Sequence, residues 1–274
     1  MNKLDFNNIT HNIIEDSNKP LIHFITNYVT INDVANMTLA FGGSPIMAEA
    51  FEEVEEITSN CACLVINIGM LTTNKIKSMR KAIKVANHIN IPVILDPVGV
   101  ASSKFRLDFV LEILNNYKVD IVKGNISEMK ALLGYKTLAK GVDCEEVVND
   151  NIDIIGTLVA QKFDTVASIT GNIDTVCNNK YIAKIEGGSS MLTYITGIGC
   201  MINPLIAVSL ARCCDPFISS VYGIVAMNVA ADYVEKNLDA NEGVGTYKIR
   251  LLDTIYNIKK ENLIHRGKVN IYEV

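Results

Sequence analysis

The chain has 274 residues, with 25 Lys and Arg against 30 Asp and Glu, and therefore carries a formal net charge of −5. This mildly acidic balance argues against general electrostatic binding to nucleic acids or to anionic membranes. Apolar residues make up 49% of the chain and charged residues 20%, a composition that excludes disorder as its main state and favours strands buried on both faces, a subunit interface, or both.

The first two thirds of the chain alternate between short apolar runs and segments with helical periodicity. Thr30 and Asp33 have the spacing of a capping box at the first helix. The predicted strands are residues 20–26, 44–47, 61–68, 91–95, 120–122 and 165–170, and the predicted helices are residues 30–41, 73–90, 107–117, 126–133 and 145–162. Such alternation is typical of a parallel sheet covered by helices on both faces.

The pattern changes after residue 170. Residues 174–185 predict a hairpin that turns at Asn178 and Asn179 and adds antiparallel strands. Three helices are predicted at residues 200–214, 216–237 and 243–261, and a last edge strand at residues 268–272. No linker divides the chain, so we expect one domain over residues 1–274: a three-layer α/β/α fold whose mostly parallel sheet has an antiparallel edge.

The cysteine content indicates a reducing compartment. The chain has 7 cysteines, an odd number, and its polar first ten residues lack the apolar core of a secretory signal, so we expect reduced thiols in the cytoplasm. The longest apolar runs, such as residues 91–95 around Pro92, are also too short to span a bilayer. Six of the thiols are expected to pack as small apolar side chains: Cys61, Cys63, Cys144, Cys177, Cys213 and Cys214.

Polar residues and glycines stand directly after the predicted strands. They are Asn27, Gly69, Asp96, residues 123–125 and residues 170–171. In open α/β sheets, ligands bind beyond the carboxyl ends of the strands. A single residue of this kind is usually a cap or a turn, but the whole set predicts a shared cleft.

The best candidate for an anion site is the segment TGIGC at residues 196–200, which precedes a predicted helix. Glycines let the backbone approach a ligand closely, and a helix N-terminus offers unpaired N–H groups. Pro204 is expected in or near the first turn, where its missing N–H is tolerated. A tight turn without a ligand is the alternative interpretation, and the fingerprints of Walker-type and dinucleotide-binding loops are absent from the sequence.

Two carboxylates are placed for binding a metal. Asp96 ends an apolar strand, and Glu128 lies just after a strand-to-helix turn. Mg²⁺ often takes one or two carboxylates and fills its other positions with water and phosphate oxygens. A helix first-turn carboxylate explains Glu128 alone, but it does not explain the pairing of Glu128 with Asp96.

The chain resembles the hydroxyethylthiazole kinase family of the ribokinase-like superfamily in six segments that stand in the family's order. They are residues 27–34 (NYVTINDV), 43–47 (GSPIM), 96–99 (DPVG), 123–128 (KGNISE), 170–171 (TG) and 196–200 (TGIGC). The resemblance covers about residues 21–234. Its most specific feature is Cys200, because most ribokinase-like enzymes have Asp at that position.

The resemblance implies a ribokinase-like fold and the ATP-dependent phosphorylation of the hydroxyl group of 4-methyl-5-(2-hydroxyethyl)thiazole in thiamine salvage. It implies Mg²⁺ as metal cofactor, ATP and the thiazole alcohol as partners, and a cytoplasmic homotrimer that binds neither nucleic acid nor membrane. The implied catalytic residue is Cys200, the substrate-binding residues are Asn27, Val29, Met47 and Gly197, the ATP-binding residues are Lys123, Asn125, Thr170 and Gly199, and the metal-binding residues are Asp96 and Glu128, the last through water.

Two residues depart from the family pattern. Lys123 stands where the family usually has Arg, so the charge is kept but the planar fork for bidentate phosphate binding is lost. Ile198 is β-branched in a turn that needs unusual dihedrals, so we expect a shifted loop. A helix N-terminus can lower the pKa of a thiol, and Cys200 then either accepts the proton of the alcohol or only orients the alcohol.

Other functions fit parts of the same pattern. A second ribokinase-like kinase, acting on hydroxymethylpyrimidine or pyridoxal, would share the phosphate site but usually carries Asp at the position of Cys200. An ATP-dependent hydrate dehydratase on the same fold would phosphorylate its substrate only transiently. A nucleotide-binding protein without catalysis is the third alternative, favoured by the departures at Lys123 and Ile198.

Overall fold

A computed structural model of the chain describes residues 3–4, 19–135 and 151–274. Cys144 and residues 145–150, the predicted start of one helix, lie outside these residues, as do residues 1–2 and 5–18.

Ten strands within the described residues form one sheet. They are β1 (Lys3–Leu4), β2 (Leu21–Ile25), β3 (Ser44–Ile46), β4 (Cys63–Asn67), β5 (Val93–Asp96), β6 (Ile121–Asn125), β7 (Val166–Thr170), β8 (Asp174–Cys177), β9 (Tyr181–Glu186) and β10 (Lys268–Glu273). Their order is β1-β10-β9-β8-β7-β6-β5-β4-β2-β3. Neighbours from β3 to β7 are parallel, and β7, β8, β9, β10 and β1 pair antiparallel. The predicted mostly parallel sheet with an antiparallel edge is confirmed.

Helices cover both faces of this sheet. They are α1 (Ile31–Ala40), α2 (Val54–Ser59), α3 (Thr73–His88), α4 (Lys104–Asn116), α5 (Ile126–Leu132), α6 (Ile152–Phe163), α7 (Ile198–Cys213), α8 (Pro216–Lys236), α9 (Val244–Asn257) and α10 (Lys260–Arg266). Successive residues of β4 point to opposite faces: Val65 packs in the core under α1, α7, α8 and α9, whereas Leu64 and Ile66 pack in the core under α3 to α6. This is the predicted three-layer arrangement.

Several boundaries differ from the prediction. Residues 243–261 do not form one helix, because Ile258 and Lys259 are extended and the side chain of Asn262 accepts a hydrogen bond from the Lys259 backbone, which restarts the helix. The strand at residues 268–272 is not the edge, since Lys3–Leu4 pairs outside it. Helix α2 was not predicted; it has only 6 residues, too few for a clear period.

Helix α8 is long and apolar enough to span a membrane by length and composition alone, and 83% of its most apolar window is buried inside the protein. It packs against α7 and the sheet, so it acts as the central core helix of this layer. The sequence predicts this helix at residues 216–237, and Ser219, Ser220 and Asn228 interrupt its apolar run.

Candidate active site

The carboxyl ends of the parallel strands meet the N-terminus of α7, and a hydrogen-bonded network joins them there. Asn67 ends β4 and lies beside Asp96, the last residue of β5. Asn67 Nδ2 donates to Asp96 Oδ2 at 2.9 Å and to Cys200 Sγ at 3.2 Å. Its Oδ1 accepts from Asn27 Nδ2 at 3.0 Å. Three predicted site residues are thus brought together by a fourth that the sequence analysis did not single out.

Asp96 is a second centre of the network. It is 1% exposed, and its Oδ2 also accepts from Asn203 Nδ2 at 2.6 Å. Lys123 Nζ lies 3.5 Å from the same oxygen and donates to the carbonyl oxygen of Gly199 at 2.7 Å. The cation therefore offsets the buried carboxylate and ties β6 to the first turn of α7.

The Cys200 thiol is buried, and its sulfur accepts hydrogen bonds from Asn67 and, at 3.6 Å, from Asn27. Burial raises the pKa of Cys200, and the nearby Asp96 carboxylate raises it further, while Lys123 and the side-chain hydrogen bonds act in the opposite direction. The pKa of Cys200 therefore shifts in the direction opposite to the one that a helix N-terminus favours, because the loss of water around the thiol has the largest effect.

The anion loop has a different geometry from the one predicted. The left-handed position belongs to Gly197, with φ of 81°, whereas Ile198 is the first residue of α7. A Cβ on Gly197 would overlap the Cγ2 atom of Thr30, so only glycine fits there. The predicted crowding at Ile198 is therefore wrong, because this residue has helical dihedrals. The first intrahelical bond runs from the Met201 N–H to the Gly197 carbonyl, which leaves the preceding N–H groups free of helical partners.

Two further predictions about helix starts are corrected. Pro204 lies inside α7, in its second turn, where its missing N–H leaves the Cys200 carbonyl without its helical bond. Thr30 precedes α1 but makes no side-chain cap; its hydroxyl donates to Asn27 Oδ1 at 3.2 Å. Asp33 forms an ion pair with Lys248 at 2.8 Å instead of closing a capping box.

Glu128 is held by backbone amides. It forms a capping box with Asn125: its Oε2 accepts from the Asn125 N–H at 2.8 Å, and its own N–H donates to Asn125 Oδ1 at 3.0 Å. Its Oε1 accepts from the Gly99 N–H at 2.9 Å. Burial raises the pKa of Glu128, and the neighbouring Asp96 charge raises it as well. The first-turn interpretation is therefore correct for Glu128, and its carboxylate also lies near enough to Asp96 for the two negative charges to repel each other.

The two carboxylates fit a magnesium ion that keeps most of its ligands as water and phosphate oxygens. No group of three or more His, Cys, Asp or Glu among residues 19–135 and 151–274 is arranged to hold a metal. Asp96 at the end of β5 and Glu128 in the first turn of α5 supply hard oxygen donors, and the hydrogen bonds that Glu128 accepts from backbone N–H groups favour contact with the ion through water.

The network continues past β6 toward the antiparallel strands. Thr170 pairs with Asn125 in register, and its hydroxyl lies 3.5 Å from the Gly124 carbonyl. The Gly171 N–H donates to Asp174, which also accepts from Asn228 at 2.7 Å. Burial raises the pKa of Asp174. Asn228 lines a cavity of about 480 Å³ that also borders Gly187 and Lys268, at the same edge of the sheet.

Two predicted substrate residues lie outside this network. Val29 is 63% exposed, in the turn after Asn27. Met47 is partly buried and packs against the core under α1 and α7. Asn67 was missed although it is the one amide in the otherwise apolar run CACLVINI, a signal that was available. No sequence signal marks Asn203, because its role depends on Asp96, which is remote along the chain.

Comparisons with known proteins identify the family of this chain. A model of the hydroxyethylthiazole kinase family matches residues 13–261. The chain belongs to the hydroxyethylthiazole kinase family. Hydroxyethylthiazole kinase from Alkaliphilus metalliredigens is 41% identical over 254 residues, which cover 93% of each chain. The corresponding kinase from Clostridium novyi is 41% identical over 250 residues, covering 91% of this chain and 93% of its own.

Solved structures place this family member in the ribokinase-like fold. The hydroxyethylthiazole kinase structure from Pyrococcus horikoshii superposes with a TM-score of 0.82 at 33% identity, covering 98% of this chain and 97% of its own. A pyridoxal kinase from Staphylococcus aureus superposes with a TM-score of 0.63 at 15% identity, covering 93% of this chain and 99% of its own. This second likeness extends to the fold alone and does not favour pyridoxal as a substrate.

Proposed function

We propose that the chain transfers the γ-phosphoryl group of ATP to the hydroxyl group of 4-methyl-5-(2-hydroxyethyl)thiazole, a reaction of thiamine biosynthesis and salvage. The observation that carries the proposal is the network in which Asn67 links Asn27, Cys200 and Asp96 at the N-terminus of α7. It brings the amide of Asn27, the thiol of Cys200 and the carboxylate of Asp96 together beside the N–H groups at the start of α7 that have no partner within the helix.

The nucleotide lies along the strand ends in this proposal. The first N–H groups of α7 and the Lys123 ammonium face the transferred phosphoryl group, with Gly199 allowing close approach of the backbone. Thr170 and Asn125, side by side on β7 and β6, bind the remaining phosphates. The neighbouring cavity of about 480 Å³ has room for the base and ribose.

Asp96 and Glu128 would hold Mg²⁺, which neutralises charge on the phosphate oxygens when it is bound. Lys123 already lies 3.5 Å from Asp96 and shares that task. Its compact ammonium binds phosphate as a point charge, without the fork of the usual arginine.

The thiazole alcohol binds next to Asn27 and the backbone of Gly197, against Val29 and Met47. The Cys200 thiol aligns the hydroxyl group, whose oxygen attacks the γ-phosphorus as the bond to the leaving ADP oxygen breaks, and the alcohol proton passes to an oxygen of the transferred phosphoryl group. Catalysis then depends mainly on position and charge, and Cys200 acts as an orienting group and not as a strong base.

We also propose a cytoplasmic homotrimer of single-domain chains. Tyr28 is 52% exposed and Val29 63% exposed, and a neighbouring subunit would cover these apolar side chains beside the thiazole pocket. The described cysteines are free, as expected in a reducing compartment. Light scattering should give three times the 30.1 kDa mass of one chain, and a monomer mass would contradict the trimer.

A coupled ADP-release assay tests the activity, with the thiazole alcohol, hydroxymethylpyrimidine and pyridoxal compared at equal concentration. We expect the thiazole alcohol to be preferred, and ³¹P NMR to show a stable phosphate monoester. Release of ADP and free phosphate without the monoester would instead support the dehydratase or an idle ATPase.

A further inference from the structure

A buried lysine at the start of α3 has no part in the proposed reaction. The side chain of Lys75 is 2% exposed, and its Nζ lies 2.9 Å from Glu49 Oε2. The same ammonium donates to the Thr26 carbonyl oxygen at 2.8 Å and lies 4.0 Å from the centroid of the Tyr28 ring. The Tyr28 hydroxyl donates to the other oxygen of Glu49.

These contacts join the two segments that carry predicted thiazole-binding residues. Thr26 directly precedes Asn27, and Tyr28 directly precedes Val29. Glu49 lies two residues after Met47. One ammonium group is therefore bonded to both walls of the pocket, although it lies on a third element.

The placement is unfavourable for stability by itself. Burial of an ammonium group removes its hydration, and the positive end of a helix dipole repels it. The Glu49 side chain is 36% exposed, so its ion pair with Lys75 is screened by water and adds little to stability. A role in geometry explains the lysine better than a role in folding.

We propose that Lys75 is a positioning residue that holds residues 26–29 against residues 47–49 and thereby sets the shape of the thiazole pocket. This inference rests on the proposed function, since the pocket is assigned there.

The same helix offers a matched control. Lys81 Nζ also contacts a carboxylate, Glu55 Oε2 at 3.2 Å, and a carbonyl, that of Phe51 at 3.2 Å. It also lies over an aromatic ring, that of Phe51, at 4.8 Å from the centroid. Its partners lie beyond the two segments that Lys75 joins, so Lys81→Met removes the same kinds of contact without opening the pocket.

Steady-state kinetics test the consequence for the substrate. We expect Lys75→Met to raise KM for the thiazole alcohol about tenfold while KM for ATP stays within about twofold. Lys81→Met should leave both KM values within about twofold of wild type. Equal increases of both KM values in Lys75→Met, or no increase in a folded variant, would overturn the proposal.

A second variant covers the case in which Lys75→Met folds poorly because Glu49 loses its partner. In Lys75→Met/Glu49→Gln the unpaired charge is gone, so thermal stability should recover while KM for the thiazole alcohol stays high. If thermal stability and KM for the thiazole alcohol both returned to their wild-type values, Lys75 would have a purely structural role.

Hydrogen exchange measures the bridge without any assay of activity. Residues 26–29 and 47–49 should both exchange faster in Lys75→Met than in wild type and in Lys81→Met. Unchanged exchange in both segments would overturn the bridge. If wild type itself does not phosphorylate the thiazole alcohol, the proposed function fails, but this exchange comparison still decides whether Lys75 joins the segments.

Discussion

Asn67 uses all the hydrogen-bonding capacity of one carboxamide inside the candidate site. Its two N–H bonds go to Asp96 and Cys200, and its oxygen accepts from Asn27 and from the Gly69 N–H at 2.9 Å. Because the side chain is 1% exposed, water cannot readily replace a lost partner. One residue therefore holds the predicted substrate, catalytic and metal groups at fixed distances.

We expect Asn67→Ala to lower kcat/KM for the thiazole alcohol by about tenfold or more, because it removes bonds to three site residues at once. Asn203→Ala is the control, since Asn203 shares only the bond to Asp96. Steady-state kinetics on both variants measure the difference. Equal losses would mean that the contacts of Asn67 with Cys200 and Asn27 contribute nothing to the reaction.

Cys200→Ala should lower turnover while ATP binding, measured by calorimetry, persists. Cys200→Asp should stay active, because most ribokinase-like enzymes have Asp at this position; an inactive but folded protein would contradict the assigned position.

Since the pKa of Cys200 is raised, the thiolate form is scarce near neutral pH. Mass spectrometry after iodoacetamide treatment should therefore show slower alkylation at Cys200 than at the exposed Cys214, the difference narrowing as pH rises.

At the scale of elements, the junction between the anion loop and α7 decides where the helix N–H groups point. Gly197 adopts a left-handed conformation and lies so close to Thr30 that a side chain has no room. Thr30 in turn donates to Asn27 through its backbone N–H, at 3.1 Å, and through its hydroxyl. The start of α7 and the start of α1 therefore pack together around the carboxamide of Asn27.

Gly197→Ala should abolish most activity, because the new methyl group displaces Thr30 and with it Asn27. Gly134→Ala is the control for backbone strain alone. Gly134 has the same left-handed conformation, with φ of 86°, but an added Cβ would have no atom within 4 Å. The left-handed conformation alone costs about 1–2 kcal/mol of unfolding free energy. Urea unfolding and kinetics on both variants test this, and equal loss of activity would contradict the role of Thr30.

At the scale of the whole molecule, the sheet order brings residues 27, 67, 96, 125 and 170 to one edge, and α7 closes that edge from residue 198. Helix α7 is held there by α8, which packs on it at close range. Gly223 permits this approach, because an added Cβ would lie 2.7 Å from the backbone nitrogen of Ile206. The buried α8 thus supports α7, the helix whose N-terminus forms part of the candidate site.

Gly223→Ala should lower the free energy of unfolding by about 1–3 kcal/mol, as expected for overpacking in a core. Gly245→Ala, in the first turn of α9, meets no atom within 4 Å and should leave stability unchanged or slightly raise it. Urea unfolding measures both. If Gly223→Ala left the free energy of unfolding unchanged, the two helices would be able to move apart without loss of stability.

Local patterns predicted most elements of this fold, because apolar alternation and turn residues act within a few positions of one another. The strands ending at Asn67, Asp96 and Thr170, and the hairpin after residue 173, follow from such patterns. Thr30 and Asp33 show the limit: their spacing matches a capping box, yet each side chain bonds elsewhere, to Asn27 and to Lys248. Spacing along the chain predicts which partners are near a side chain, but not with which of them it forms a hydrogen bond or an ion pair.

The sequence by itself therefore determined the alternation of strands and helices, the family resemblance and the residues that stand at strand ends. Only the tertiary structure decided that Asn67 joins Asn27, Asp96 and Cys200, that Gly197 and not Ile198 bears the unusual dihedral, and that the pKa of Cys200 is raised. The reason is physical: a hydrogen-bond partner, a steric overlap and the loss of water around a thiol all depend on atoms that are remote along the chain.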